Sequence, residues 1–164
     1  MSKIKTLYKF DENFNLKDWQ IVNDDVMGGL SMGLIQVNKE GFGVFSGHVS
    51  LENNGGFCMV RRNLERMPVN VYTKFLLSVK GDGKKYAFRC KSGEHQRHTY
   101  SYEFTSTKEW TTIEIPFKDM QAVFRGEELN LPNYHGDYLT QIAIIIKNGI
   151  EEDFVLEIDK IEIK

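Results

Sequence analysis

Residues 71–91, VYTKFLLSVKGDGKKYAFRCK, decide the fold class, because side-chain polarity alternates with a period of two on both sides of a glycine-rich break. This period is typical of half-buried β-strands, in which successive side chains point to opposite faces. Gly81-Asp82-Gly83 separates the two runs, and glycine tolerates positive φ in a tight turn. The stretch therefore predicts two strands that pair as a β-hairpin.

The rest of the chain repeats this pattern at short intervals. With the hairpin, further runs at about 4–10, 34–38, 43–51, 56–61, 99–105, 109–115, 140–147 and 154–163 predict about ten strands. Glycine and asparagine turns separate them, and no segment carries an apolar stripe of helical period and length. The sequence predicts an all-β sandwich of two antiparallel sheets, formed by one domain spanning residues 1–164.

Two of these strands carry additional information. Residues 142–146, IAIII, are apolar in both phases, which predicts a central strand that is covered on both sides. In the last strand the apolar phase changes between Ile158 and Ile161, so we expect a β-bulge near Asp159-Lys160.

Composition is that of an ordinary globular protein. The 164-residue chain has 41% hydrophobic and 27% charged residues, and its start lacks the apolar core of a signal peptide. With no run of about 20 apolar residues to cross a membrane, a cytoplasmic location is the default expectation. Cys58 and Cys90 have no metal-binding spacing, and we expect buried thiols and no disulfide.

Charge is distributed unevenly along the chain. The net charge of −2 argues against a general affinity for nucleic acid, yet residues 56–98 carry +7 and the remainder −9. Such asymmetry can form a local surface that attracts anions. The alternative is that these cations belong to solvated outer faces of strands.

Gly29-Leu30-Ser31-Met32-Gly33 matches the G-x-S-x-G pattern of α/β-hydrolases. That chemistry requires a buried strand before the serine and a helix after it, followed by an acid and then a histidine. Here the residues after Gly33 are typical of a strand, and His135 precedes Asp137. We therefore expect no catalytic residues.

Asp24 and Asp25 precede a glycine turn and allow two interpretations. Their carboxylates can hold a structural calcium ion together with backbone carbonyls. They can equally order the turn through side-chain hydrogen bonds to the backbone. Apart from that calcium, no cofactor or metal is expected.

Aromatic residues raise the possibility of sugar binding, because sugar rings stack on flat aromatic faces. Trp19 and Trp110 adjoin strands, and we expect both to pack in the interior. Tyr86, Tyr100 and Tyr102 alternate with polar residues on neighbouring strands and are expected to line an exposed sheet face.

An ordered series of motifs resembles the complex I intermediate-associated protein 30 family. The series covers nearly the whole chain, and the DDVMGG and NNGGF pieces are its most specific parts. Its members are Trp19, NDDVMGGLSMG (23–33), FSG (45–47), LENNGGF (51–57), Arg61, GDGKKY (81–86), Trp110, IPF (115–117), FRG (124–126) and LEID (156–159).

The resemblance implies a galactose-binding-like jelly-roll sandwich and a non-enzymatic role. In mitochondria the family acts as an assembly factor that holds intermediates of respiratory complex I, the NADH:ubiquinone oxidoreductase. Its fold is similar to that of carbohydrate-binding modules. The chain itself has no G-x-G-x-x-G after a strand and no cysteine cluster, as redox cofactor sites would require.

Two functions remain open at this point. The first is an assembly or scaffold factor that binds a protein partner through a sheet face or through the loops that contain Asp24, Asp25 and Asn53. The second is a carbohydrate- or small-anion-binding module with Arg61, Arg89 and Tyr102 on a concave sheet face, where simple solvation is the alternative for these residues. An aromatic-lined groove would favour the sugar, and an exposed apolar patch would favour the protein.

Overall fold

The computed structural model describes residues 3–23, 30–52 and 56–164. These residues form thirteen β-strands and almost no helix, which confirms the all-β prediction. Short 3₁₀ helices lie at Leu16–Asp18 and Phe117–Asp119. In chain order the strands are β1 Lys5–Lys9, β2 Gln20–Asn23, β3 Met32–Val37, β4 Gly43–Val49, β5 Cys58–Pro68, β6 Lys74–Lys80, β7 Lys85–Lys91, β8 Thr99–Thr105, β9 Thr111–Pro116, β10 Gln121–Phe124, β11 Glu127–Glu128, β12 Tyr138–Ile146 and β13 Glu152–Ile163.

The strands form two antiparallel sheets. The six-stranded sheet has the order β3-β4-β13-β6-β9, and β1 pairs with the C-terminal half of β13. The seven-stranded sheet has the order β11-β10-β8-β7-β12-β5-β2. The edge strands β2 and β3 contact each other along one side of the sandwich. This arrangement confirms the predicted β-sandwich.

Strand β13 contains the predicted bulge. Its register against β6 shifts between Ile158 and Lys160. The shift lets Ile158 and Ile161 both face the interior, where each is fully buried. The change of apolar phase in the sequence therefore had the expected cause.

The predicted hairpin of residues 71–91 is wrong in its pairing. Strand β6 pairs with β13 and β9 in one sheet, whereas β7 pairs with β12 and β8 in the other. Asp82 fixes this crossing, because its carboxylate accepts hydrogen bonds from the Tyr86 hydroxyl at 3.0 Å and from the Val155 backbone N–H at 2.9 Å. A glycine-rich turn is compatible both with a hairpin and with a crossing from one sheet to the other. Contacts with strands distant in sequence therefore decide which of the two forms.

The interior is filled by aromatic and branched side chains from both sheets. Phe75 of β6 and Phe88 of β7 are fully buried, and their ring centroids lie 4.8 Å apart between the two layers. Cys58 and Cys90 are buried as expected. Such contacts between sheets are what join the two layers into one core.

Strand β12 lies inside the seven-stranded sheet, between β7 and β5, and is covered on both faces, as predicted. Ile142, Ile144 and Ile146 face the core and are fully buried. Ala143 and Ile145 lie on the opposite, outer face, yet only 2% and 4% of their surfaces are exposed. The outer face of this sheet is therefore shielded at its centre.

Three short strands were not anticipated from the sequence. β2 and β10 have four residues each and β11 has two, so none is long enough to show a clear alternation. Strand β6 also begins later than expected, at Lys74, and Val71 is 71% exposed. The unanticipated strands β2, β10 and β11 extend the seven-stranded sheet and carry part of its outer face.

Candidate binding surfaces

Half of the predicted site residues lie in the part of the chain that the structure describes. Asp24, Asp25 and Asn53 fall outside the described residues, so the proposed calcium site stays a prediction. Arg61 and Arg89 lie on the outer face of the seven-stranded sheet, in β5 and β7. Tyr102 lies in β8.

Strand register places the two arginines in one straight row. Ala143 of β12 is the registered neighbour of Arg61 on one side and of Arg89 on the other. Adjacent strands lie about 4.8 Å apart, so about 10 Å separates the backbones of β5 and β7. The row continues to Gln20 beyond Arg61 and to Ser101 beyond Arg89. Gln121 of β10 follows Ser101 and completes the row.

The two arginines differ in how their guanidinium groups are satisfied. The Nε of Arg61 donates a hydrogen bond to the Gln20 side-chain oxygen at 2.9 Å. The Nε of Arg89 is buried and has no hydrogen-bond partner among the residues that the structure describes. Burial lowers the pKa of Arg89 below its usual range, because the charged form loses hydration. Arg89 is thus a partly desolvated cation whose Nε–H lacks a hydrogen bond within the described residues.

Lys91 adds a third cation to the same surface. It lies two residues after Arg89 on the same face of β7, and its registered neighbour is Gln141. Burial and the nearby charge of Arg61 both lower the pKa of Lys91. Across the described ranges, no carboxylate oxygen lies within 4.0 Å of Arg61, Arg89 or Lys91. We call these three residues the cationic cluster.

A groove of about 580 Å³ begins at Arg89 and runs toward β10 and β11. Its volume falls within the range of small-molecule sites. Its walls carry polar groups of both signs, and one cation, Lys85, is paired with Glu103 at 3.5 Å. The charged and amide residues that line it are Lys85, Arg89, Glu103, Asp119, Gln121, Glu128, Lys147 and Asn148.

The expected tyrosine surface is not present. Tyr86 and Tyr100 are 1% and 8% exposed, and both face the core. Tyr102 borders the groove but is registered with the buried Phe88 and packs against the core. Odd and even positions of β7 and β8 point to opposite faces, and the even positions face inward. The outer face therefore presents arginine and serine where we expected aromatic rings.

An apolar groove that sequence reasoning missed lies along the side of the sandwich, between β2 and β3. Its volume is about 540 Å³. Leu16 and Leu34 are 64% and 60% exposed there, and neighbouring Met32 is 72% exposed. The lining residues are Phe14, Leu16, Trp19, Ile21, Leu34, Ile35, Gln36 and Val37. The sequence did contain a signal for this groove, because apolar side chains occupy both alternating sets of positions in β3, which proves to be an edge strand.

The two tryptophans have different environments. Trp19 is 6% exposed and packs in the core, as expected. Trp110 was expected in the core, but 41% of its surface is exposed, because it precedes the edge strand β9. Its ring lies 4.5 Å from that of Phe42. Ser78, Thr112 and Asp159 line the adjacent depression of about 290 Å³.

The G-x-S-x-G serine has a structural role. Ser31 is 3% exposed. Its hydroxyl accepts a hydrogen bond from the backbone N–H of Ser50 at 2.9 Å and donates one to the Ser50 carbonyl oxygen at 3.2 Å. A strand follows it, as expected, and not the helix that a nucleophile elbow requires. These contacts tie the start of β3 to the end of β4.

Two other kinds of feature are absent from the described residues. These residues contain no group of three or more His, Cys, Asp or Glu side chains arranged to hold a metal ion. None of their helices is long and apolar enough to cross a membrane.

Comparison with known proteins gave one family and a consistent fold. The family model for Complex I intermediate-associated protein 30 matches residues 8–158. An uncharacterised protein of Schizosaccharomyces pombe is 28% identical over 94% of this chain and 81% of its own length.

Solved structures support the same architecture. The family 11 carbohydrate-binding module of a Clostridium thermocellum cellulosomal cellulase superimposes with a TM-score of 0.70 at 19% identity, covering 99% of this chain and 95% of the module. The same family's module in complex with a β-1,3-1,4-mixed-linked tetrasaccharide gives 0.69 at 20% identity, covering 98% and 94%. This similarity confirms the jelly-roll sandwich. At 19–20% identity it is evidence for the fold and not for the function.

Proposed function

Because the chain belongs to the Complex I intermediate-associated protein 30 family, we propose that it is a non-catalytic protein-binding factor with an assembly or scaffold role. The observation that carries this proposal is the apolar groove between β2 and β3. Exposed apolar side chains that line a continuous groove are characteristic of protein interaction sites. Scattered single apolar residues would not have this meaning.

The energetics of the groove favour a partner. Leu16, Met32 and Leu34 are each more than half exposed. Complete burial of such a side chain stabilises a complex by roughly 1.5–3 kcal/mol before the entropic costs of association. Three neighbouring residues of this kind can therefore anchor an interface of moderate affinity.

The backbone beside the groove offers a second means of recognition. Among the described strands, β3 pairs only with β4, so its other edge retains unpaired N–H and C=O groups. An extended segment of a partner can add to such an edge and place alternate side chains in the groove. The groove and the strand edge together define a surface for an extended apolar peptide segment.

The test is affinity capture from native cell extract, followed by binding measurements with the purified captured protein. We expect Leu34→Asp to abolish capture of a partner that the wild-type chain retains, because it places a charge in the apolar groove. Ile150→Asp is the matched control, since Ile150 is 54% exposed and lies in the turn before β13. Equal retention of the partner by both variants would contradict the proposal.

A second candidate, carbohydrate binding, is favoured by the surface around Trp110. The exposed indole beside Phe42 offers a stacking platform, and the Ser78 and Thr112 hydroxyls and the Asp159 carboxylate lie next to it. The family 11 modules of the same fold are carbohydrate-binding modules, one of them solved with a mixed-linked tetrasaccharide. Aromatic rings with adjacent polar groups are the usual elements of such a site.

A glycan array distinguishes this candidate from the first. We expect binding to an oligosaccharide that Trp110→Ala removes and Leu34→Asp leaves intact. An array without a Trp110-dependent signal would eliminate the carbohydrate function at this surface.

A further inference from the structure

The groove that begins at Arg89 is walled on its far side by the hairpin of β10 and β11. The Arg125-Gly126 turn of this hairpin has φ values of 51° and 81°. A Cβ added at Gly126 would lie 2.6 Å from the Lys147 Nζ, so the tip of the hairpin lies beside the end of β12. In the sheet, however, β8 and β7 separate β10 from β12 by about 14 Å. The hairpin therefore arches over the outer face of the sheet, and the groove of about 580 Å³ lies between the two.

Four charged side chains that line this groove have no partner of opposite sign. Arg89 projects from β7, and Lys147 follows the end of β12. Asp119 precedes β10, and Glu128 ends β11. Across the described ranges, no ion pair within 4.0 Å involves any of these four residues. Two cations and two carboxylates thus share one groove without neutralising each other, although opposite charges at contact distance attract.

Unpaired groups of both signs in one groove fit a ligand that carries both signs itself. Carboxylates accept hydrogen bonds from an ammonium group, whereas guanidinium and lysine ammonium groups donate to a carboxylate. We propose that the groove binds a short peptide with free ends, its terminal ammonium group facing Asp119 and Glu128. Its terminal carboxylate then faces Arg89 and Lys147.

The other groups in the groove agree with this class of ligand. Ser101 and Gln121 are registered neighbours on β8 and β10, and their hydroxyl and amide groups can bind the peptide groups between the two ends. The three cations and three carboxylates that line the groove cancel, so no net charge favours a ligand of one sign. Tyr86 and Tyr102 border the groove but pack against the core, which leaves no stacking platform for a sugar ring.

The test is calorimetric titration of the full chain with glycine, diglycine and triglycine at neutral pH and constant ionic strength. We expect one length to bind best, because the charges of the groove have a fixed separation. Acetylation of that peptide removes its ammonium charge, and amidation removes its carboxylate charge. Each capped form should bind about tenfold more weakly than the free peptide, since each loses one charge-assisted contact.

Glu128→Gln and Lys147→Gln test the two ends of the groove separately. Both residues are exposed, and the substitutions keep a polar side chain while removing the charge. Each variant should bind the best peptide about tenfold more weakly. In Glu128→Gln, acetylation should cost almost no further affinity, and in Lys147→Gln the same should hold for amidation. A general electrostatic effect would not produce this crossed pattern, because it does not couple one residue to one end of the peptide.

Glu40→Gln and Lys39→Gln are the matched controls, because both residues are exposed in the turn between β3 and β4 of the other sheet. Their affinity for the peptide should equal that of the wild type. Failure of all three peptides to bind, or equal affinity for free and capped forms, would overturn the proposal. Binding of glucose by a wild-type chain that ignores the peptides would also contradict it. Leu34→Asp tests the apolar groove separately and should leave peptide titrations unchanged.

Discussion

Replacing Arg89 with methionine should stabilise the protein. Methionine keeps a long flexible apolar stem but removes the charge and the buried Nε–H that has no partner. An unsatisfied buried donor costs about 1–3 kcal/mol. We therefore expect the free energy of unfolding to rise by about 1–2 kcal/mol. For a chain of this size that corresponds to an increase in melting temperature of roughly 2–8 °C.

Urea unfolding followed by circular dichroism, in buffer free of phosphate and sulfate, measures this change. Arg61→Met is the control, because its Nε already donates to Gln20 and the substitution breaks a satisfied hydrogen bond. Only the Arg89 variant should gain stability. A loss of more than about 1 kcal/mol in Arg89→Met would refute the view that its guanidinium is uncompensated.

Two further predictions concern the core. A Cβ added at Gly47 would lie 2.0 Å from the Met32 carbonyl oxygen, so Gly47→Ala should lower the free energy of unfolding in urea by about 3 kcal/mol or more. Gly93→Ala is the control and should have little effect, because the nearest atom to a Cβ there lies at 3.9 Å. Similar losses of stability in both variants would argue against steric crowding at Gly47. Burial raises the pKa of the Tyr86 and Tyr134 hydroxyls far above the usual value. These tyrosines therefore leave the free energy of unfolding unchanged below pH about 10, where both the folded and the unfolded chain keep them protonated. Above that pH the free energy of unfolding should fall by about 1.4 kcal/mol per tyrosine per pH unit. Tyrosinate absorbance checks this, since both hydroxyls should ionise only together with unfolding.

Much of the fold was readable from local pattern. Alternating polarity located most strands, and the change of apolar phase located the bulge beside Asp159, because burial on one face imposes a period of two on the sequence. The apolar run of β12 likewise predicted a strand that is covered on both faces. These features depend on neighbours along the chain, which is why the sequence contained them.

The candidate surfaces were less accessible to the same reasoning. Arg61 and Arg89 were identified by residue type, but alternation alone did not show which phase of β7 and β8 faces inward, and the inward phase proved to hold Tyr102. Trp110 was placed in the core because it adjoins a strand, yet that strand is at a sheet edge. Burial of an edge residue depends on what lies beyond the sheet, and sequence spacing carries no information about that.

By itself the sequence determined that this is a two-layer β-sandwich, because binary patterning selects strands and their buried faces. Tertiary structure alone decided that β6 and β7 belong to different sheets and that Ala143 separates two arginines far apart in the chain. Strand pairing is a long-range choice among many patterned segments of similar local preference. The contacts that settle it, such as Asp82 with Val155, exist only after the chain has folded.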